Sequence, residues 1–326
     1  MRHIVAFIAV FVLFSVLTSD VVSAAPLEWD VKETVLSLPP SFFSDQLAFS
    51  TDVDIFLGQK KRRRNGGGRV WSNLYYADTT LKPKEGGKIQ PDVYGFQVGF
   101  DVAKSHGVHS TFFANVNQSK INFSGVSSKI DNYLLGGGKF FYLNGCHFAF
   151  TACVGYDRYE ISAGSTCMGD GLQTNFFGEF GLDFIFGKWG IKPFYALQYD
   201  FLYHGRIGNS PVLLSDWNGH GLNQLVGLRL NWRIMDMLEL QGRAVWVHEM
   251  LDNPPPFYRA RFSPVHGTST PAVMFYEGYT GRDWAWLGFG AKFECIFNVY
   301  LFLDYDLLIN ERHTTHLGSL GFCLGW

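Results

Sequence analysis

Residues 96–102 read Phe-Gln-Val-Gly-Phe-Asp-Val, a strict alternation of large apolar side chains with small or polar ones. Successive side chains on a strand point to opposite faces, so this stretch has one greasy face and one small, hydrophilic face. The same pattern recurs where Leu287, Phe289, Ala291 and Phe293 interleave with Gly288, Gly290, Lys292 and Glu294. It recurs again at the end, where Leu320, Phe322, Leu324 and Trp326 interleave with Ser319, Gly321, Cys323 and Gly325. A half-buried strand of a soluble sandwich also alternates, but its second face carries charge and its turns are tight at both ends. The polar face here is unusually small, as the inner wall of a membrane barrel is.

Working outward, about twelve such segments are predicted, near 69–78, 91–102, 107–116, 128–142, 146–161, 172–186, 189–203, 221–233, 237–249, 284–296, 299–309 and 313–326. The connections alternate between long and short. Thr79 to Gln90, Asn117 to Ser127, Ser162 to Gly171, His204 to His220 and Met250 to Asp283 are long, and Asn310 to Arg312 is a modest last member of that set. Ala103 to His106, Leu143 to Gly145, Gly187-Lys188, Ile234 to Asp236 and Phe297-Asn298 are short. Outer-membrane barrels have an even strand number, short periplasmic turns and long outer loops, so both termini of the barrel are expected on the periplasmic side. Twelve strands about 4.8 Å apart and tilted about 40° give a backbone diameter near 24 Å and a bore of roughly 10–14 Å. That is about one helix wide, so something is expected to occupy it.

Composition agrees with this reading. Charged residues are 17% of the chain and aromatics another 17%, while 36 of the 326 residues are glycine. A lipid-facing wall and a crowded bore each take half of every strand and leave little room for charge. With 27 basic and 29 acidic residues there is no electrostatic footprint for nucleic acid. The continuous apolar run from Ile4 to Leu17 follows Arg2 and is too short to span a bilayer as a helix. It reads as a signal peptide over 1–24, with a mature start near Ala25. Residues 25–67 form a short passenger or linker that ends in Lys60, Lys61, Arg62, Arg63 and Arg64 followed by three glycines. The expected organisation is thus signal, short prefix and a barrel over 68–326.

The segments also resemble a known family. Ala244-Val245-Trp246-Val247-His248-Glu249 is similar to the Trp-Arg-His-Glu strand of autotransporter β-domains. Phe302 to Asp306, His316 to Gly321 and the terminal Trp326 resemble that family's last two strands in order and spacing. Tyr94 to Asp101 resembles its second strand, Val70-Trp71 its first and Pro193 to Tyr199 its seventh. The resemblance implies a twelve-stranded translocator that secretes its own N-terminal passenger and keeps a helical linker in the pore. Two departures stand out: the family's strand-nine arginine position is Val247, with Arg243 on the same strand as a replacement, and the prefix is only about forty residues long.

The expected lumen charges are Asp101, Glu179, Asp183, Asp200, Arg243, Glu249, Lys292, Glu294, Asp304 and Asp306, with the basic run of the prefix as a partner for the carboxylates. Leu320, Phe322, Leu324 and Trp326 resemble the C-terminal signal read by the barrel-assembly machinery. Enzymatic constellations are weak. His248 and Glu249 are strand neighbours on opposite faces, and His313 and Ser319 share a face but stand roughly 20 Å apart. No Cys-x-x-Cys metal spacing occurs among Cys146, Cys153, Cys167, Cys295 and Cys323, although a Cys153–Cys167 disulfide across an outer loop is open. No cofactor, no metal and no catalytic activity are expected. The reading is a conduit for the chain's own N-terminal segment; the alternative is a passenger-less structural or pore-forming barrel with binding loops.

Overall fold

Side chains that alternate between lipid and lumen can satisfy every backbone group in a membrane only if the sheet closes. The computed structural model describes residues 68–81, 90–105, 108–123, 126–143, 145–162, 166–205, 212–214, 217–251, 257–262, 273–276, 283–296, 298–311 and 313–325. The first half of the wall comprises β1 (Gly68–Leu81), β2 (Gln90–Ser105), β3 (Val108–Phe123), β4 (Val126–Leu143), β5 (Cys146–Ser162), β6 (Thr166–Leu182), its continuation β7 (Phe184–Phe186), and β8 (Trp189–His204). After the short β9 (Val212–Leu214) come β10 (Trp217–Met235) and β11 (Leu238–Glu249). Two further short strands, β12 (Phe257–Phe262) and β13 (Val273–Tyr276), precede β14 (Asp283–Ile296), β15 (Val299–Ile309) and β16 (His313–Gly325). Each wall strand pairs antiparallel with its neighbours, β8 pairs with β10, and β16 pairs back with β1 from Arg69↔Gly325 to Leu81↔His313. With β6 and β7 forming one stave, the result is a closed antiparallel barrel of twelve strands.

Three of the short connections, all at one end, carry a positive φ, at Gly145, Gly187 and Asn298. Such angles suit glycine and, less readily, asparagine in two-residue hairpin loops. The chain enters the wall at Gly68, at this same end. At the other end the strands run further than the sequence reading placed them. The ladder between β3 and β4 continues to Phe123↔Val126, and that between β5 and β6 to Ser162↔Thr166, into the stretches 117–127 and 162–171 read as loops. Beyond the lipid both faces of a hairpin meet water, so the alternation fades while the backbone pairing persists. A second difference is a small three-stranded sheet, in which β12 pairs with β13 and β9 and so joins the two longest connections. Its strands of three to six residues are too short for alternation to reveal.

Outward-facing side chains are large and exposed: Phe96, Val98 and Phe100 on β2, Leu287 and Phe289 on β14, Leu320, Phe322 and Leu324 on β16. Near the short turns Trp189 and Trp232 stack with ring centroids 4.7 Å apart. Toward the opposite end an outward ring includes Tyr76, Tyr94, Tyr133, Tyr156, Trp246 and Tyr305. Its polar tips are tied down: Tyr76 donates to Asp92 at 3.0 Å, Trp246 Nε1 to Asp283 at 2.9 Å, and Tyr199 and Tyr305 hydroxyls meet His220 and His316 at 2.6 Å each. An apolar band between two aromatic girdles is the arrangement a bilayer imposes.

Candidate functional site, the barrel lumen

The inner wall is the half of each strand whose residues are buried, and its apolar part gathers in patches. Phe177, Phe194, Leu225, Val245, Val247, Trp284, Trp286 and Leu308 form one cluster, so Val247 is an apolar packing residue. Trp71, Phe113, Leu134, Cys153, Phe302 and Cys323 form another. Large rings fit in this bore because glycines opposite give them room. A Cβ on Gly136 would strike the Phe113 ring and approach Cys153 Cβ to 2.7 Å, and one on Gly99 would strike the Trp71 ring and approach the Phe112 carbonyl oxygen to 2.8 Å. Gly136, Gly137 and Gly138 therefore serve close packing.

The ionisable residues fall into separate constellations along the wall. Asp101 accepts from Arg69 Nε at 2.7 Å, from its Nη2 at 2.6 Å and from Trp71 Nε1 at 3.2 Å. Glu179 takes both terminal nitrogens of Arg229, at 2.6 and 2.8 Å, and meets His147 Nε2 at 2.8 Å. The other face of His147 lies 3.4 Å from Asp183, which in turn lies 3.9 Å from Lys192 Nζ. Arg229 also lies over the Phe194 ring, 3.9 Å from its centroid. Arg243 binds Asp306 through Nε at 2.8 Å and Nη2 at 2.9 Å, and Trp286 Nε1 donates to the same carboxylate at 2.9 Å. Asp200 is held by Asn175 and by Gln198 at 2.9 Å. A neighbouring run of neutral groups links Tyr75 to Asn115 at 3.0 Å and Asn117 to Asn132 at 2.9 Å, with Asn132 donating on to Asp157.

The remaining lumen charges named from the sequence lie elsewhere on the wall. Lys292 is buried, 4.9 Å over the Tyr300 ring and opposite Glu239. Glu249 and Glu294 are half-buried at opposite ends of the wall, Glu249 ending β11 and Glu294 near the short turns. Asp304 is buried opposite Gly290 and Ser319, and its Oδ2 has no hydrogen-bond partner among the described residues. The sequence reading missed Arg69, His147, Lys192, Arg229 and Glu239, all buried on this wall. Parity held the signal, since Arg229 is in phase with inward Leu225 and His147 with inward Ala149.

Ser319 faces inward and His316 outward, while the side chain of His313 lies outside the described residues. His248 faces outward beside Asp283, at 2.9 Å, away from Glu249. The Cys153–Cys167 disulfide is corrected: Cys153 is a free thiol, and Cys167 belongs to β6 rather than to a loop. Cys167 pairs with Ile161 and Cys153 with Asn175. Eight residues of strand, about 26 Å, thus part the two backbone positions, against the under-7 Å Cα separation a disulfide needs. The signal segment, the prefix with Lys60 to Arg64, and Trp326 lie outside the described residues.

Among solved structures the barrel is similar to the translocator domain of autotransporter NalP from Neisseria meningitidis, with a TM-score of 0.66 and 14% identity, covering 87% of this chain and 96% of that one. It is similar to the transport unit of autotransporter AIDA-I from Escherichia coli, with a TM-score of 0.61, 13% identity and coverage of 88% and 99%. The β-domain of the Bordetella autotransporter BrkA gives a TM-score of 0.60 at 15% identity, covering 80% and 100%. At such identities these likenesses show the fold. No curated protein matches the chain in sequence. The family model of the autotransporter β-domain, however, matches residues 70–306, most of the chain and nearly all of the barrel, and the protein belongs to the autotransporter β-domain family.

Proposed function

We propose that this barrel is an outer-membrane translocator that conducts its own N-terminal segment, residues 25–67, from periplasm to cell surface, following export by a cleaved signal peptide. The observation that carries the reading is the pairing of family with geometry. The wall begins at Gly68 at the short-turn end, so the preceding segment is delivered to the periplasmic mouth of a closed, polar-lined bore. In this reading the bore acts as a conduit: its carboxylates Asp101, Glu179 and Asp306 are each bound to an arginine of the wall, which fixes the lining. The basic run Lys60 to Arg64 then finds its counter-charge at positions such as Asp304 and not at those three. Lumen occupancy by the prefix is tested in planar bilayers: deleting Leu38 to Gly67 raises single-channel conductance, and an unchanged conductance contradicts occupancy.

The partners in this reading are membrane lipid, the barrel-assembly machinery and the chain's own prefix, with no nucleic acid. Leu320, Phe322 and Leu324 project outward from the closing strand β16, where assembly factors reach them before β16 zips to β1. Replacing Phe322 and Trp326 by alanine lowers the amount of folded barrel in outer-membrane fractions, and normal assembly counts against the signal.

A further inference from the structure

Where the apolar band ends on β4, β5 and β6, the outward face carries a groove of about 560 Å³ lined by Tyr133, Tyr156, Arg158, Met168, Gly169, Asp170 and Gly205. Leu135, Val154 and Leu172, exposed just below it on the same three strands, belong to the lipid-facing wall. A ligand in the groove is therefore continuous with the acyl region. Two tyrosines, with ring centroids 6.5 Å apart, supply flat faces above that apolar floor.

The cation in the groove, Arg158, makes no hydrogen bond to a carboxylate among the described residues. Asp131 and Asp170 stand opposite Arg158 on its two neighbouring strands, and either is placed to pair with it. Both are committed elsewhere. Asp131 accepts from Gln118 at 2.5 Å and from Lys129 at 2.9 Å, and Asp170 accepts from the Tyr156 hydroxyl. The hydrogen bond that Arg158 itself makes is a weak one, 3.8 Å from Nη2 to the thioether of Met168. One row further from the lipid, Lys120 stands directly opposite Lys129. Like charges at directly opposed positions are unfavourable, and an anion beside them relieves the cost. Asp92 and Glu160 flank that pair at opposed positions on β2 and β5, so that row is mixed in sign.

We propose that this groove binds the phosphorylated sugar headgroup of an outer-leaflet glycolipid: Arg158 takes the phosphate through its planar fork, Tyr133 and Tyr156 pack against the sugar, and Leu135, Val154 and Leu172 meet the acyl chains. A guanidinium presents parallel donors that match phosphate geometry, and tyrosine rings suit the boundary between sugar and hydrocarbon. The site rests on the reading of the barrel as an outer-membrane protein, which alkaline extraction of membranes tests independently. A barrel that resists extraction but binds no glycolipid overturns the headgroup site alone.

The test is native mass spectrometry of the full chain in neutral detergent, titrated with a diphosphorylated glucosamine-based glycolipid, its dephosphorylated form, phosphatidylglycerol and inorganic phosphate. The phosphorylated glycolipid binds at least tenfold more tightly than the other three, Arg158→Gln removes that preference, and Arg158→Lys keeps part of it. Lys139→Gln, outward on β4 nearer the short turns, leaves binding unchanged. Equal retention by wild type and Arg158→Gln, or equal binding of phosphatidylglycerol, overturns the proposal. Strong binding of inorganic phosphate alone assigns a simple anion site and overturns it as well.

Discussion

Replacing Glu179 by glutamine lowers the temperature at which the folded barrel opens by about 10 °C, the effect of about 3 kcal/mol on a domain of this size. The physical cause is the charge left behind. The Glu179 carboxylate is almost wholly buried and faces the Arg229 guanidinium at 2.6 Å and the His147 ring at 2.8 Å. Removing its charge strands the arginine in a wall where Phe194 and neighbouring strands keep water away. A double variant, Glu179→Leu with Arg229→Met, recovers most of the loss, because it removes both charges and leaves packing in their place. The exposed pair of Lys129 and Asp131 is the contrast. Its side chains are 38% and 23% accessible, so Asp131→Asn costs under about 1 kcal/mol. The loss of the folded, heat-modifiable form in gel shifts, followed against temperature, measures all three. A Glu179→Gln barrel that melts with the wild type shows that the lumen is wetter than its burial implies.

Much of this was legible in the sequence, and the reason is geometric. Phe96 to Val102 and Leu287 to Glu294 alternate because lipid and lumen demand opposite chemistry of successive residues, and that demand lasts only as far as the bilayer does. Where it ended, reading failed: residues 117–120 are polar throughout yet stay paired, and β9, β12 and β13 are too short for a period to register. Parity put Asp101, Glu179 and Asp306 on the inner face, but spacing along one strand carries no information about distance across the sheet. The arginines that meet them come from other strands: Arg69 lies 32 residues from Asp101, Arg229 lies 50 from Glu179, and Arg243 lies 63 from Asp306. Cysteine pairing failed for the same reason, since Cys153 and Cys167 are near in sequence and far apart along the β5–β6 ladder.

Arg69 and Asp101 show how the wall and the proposed passage fit together. They lie at the short-turn end, beside the point where the chain leaves the wall toward the prefix, and they neutralise each other at 2.6 Å. A basic run approaching this mouth thus meets no bare carboxylate at Asp101, whereas deeper in the wall Asp304 Oδ2 has no hydrogen-bond partner among the described residues. Such a lining holds a polycationic segment loosely, as transit requires.

Passage of the prefix is the central claim, and it is an all-or-none property. An epitope inserted directly after Ala25 in the full-length protein is followed on intact cells treated with external protease, with a periplasmic marker as the check on membrane integrity. The account predicts that the epitope is lost while the barrel stays folded. An epitope that remains protected until the cells are lysed contradicts translocation and leaves a structural or pore-forming barrel in its place.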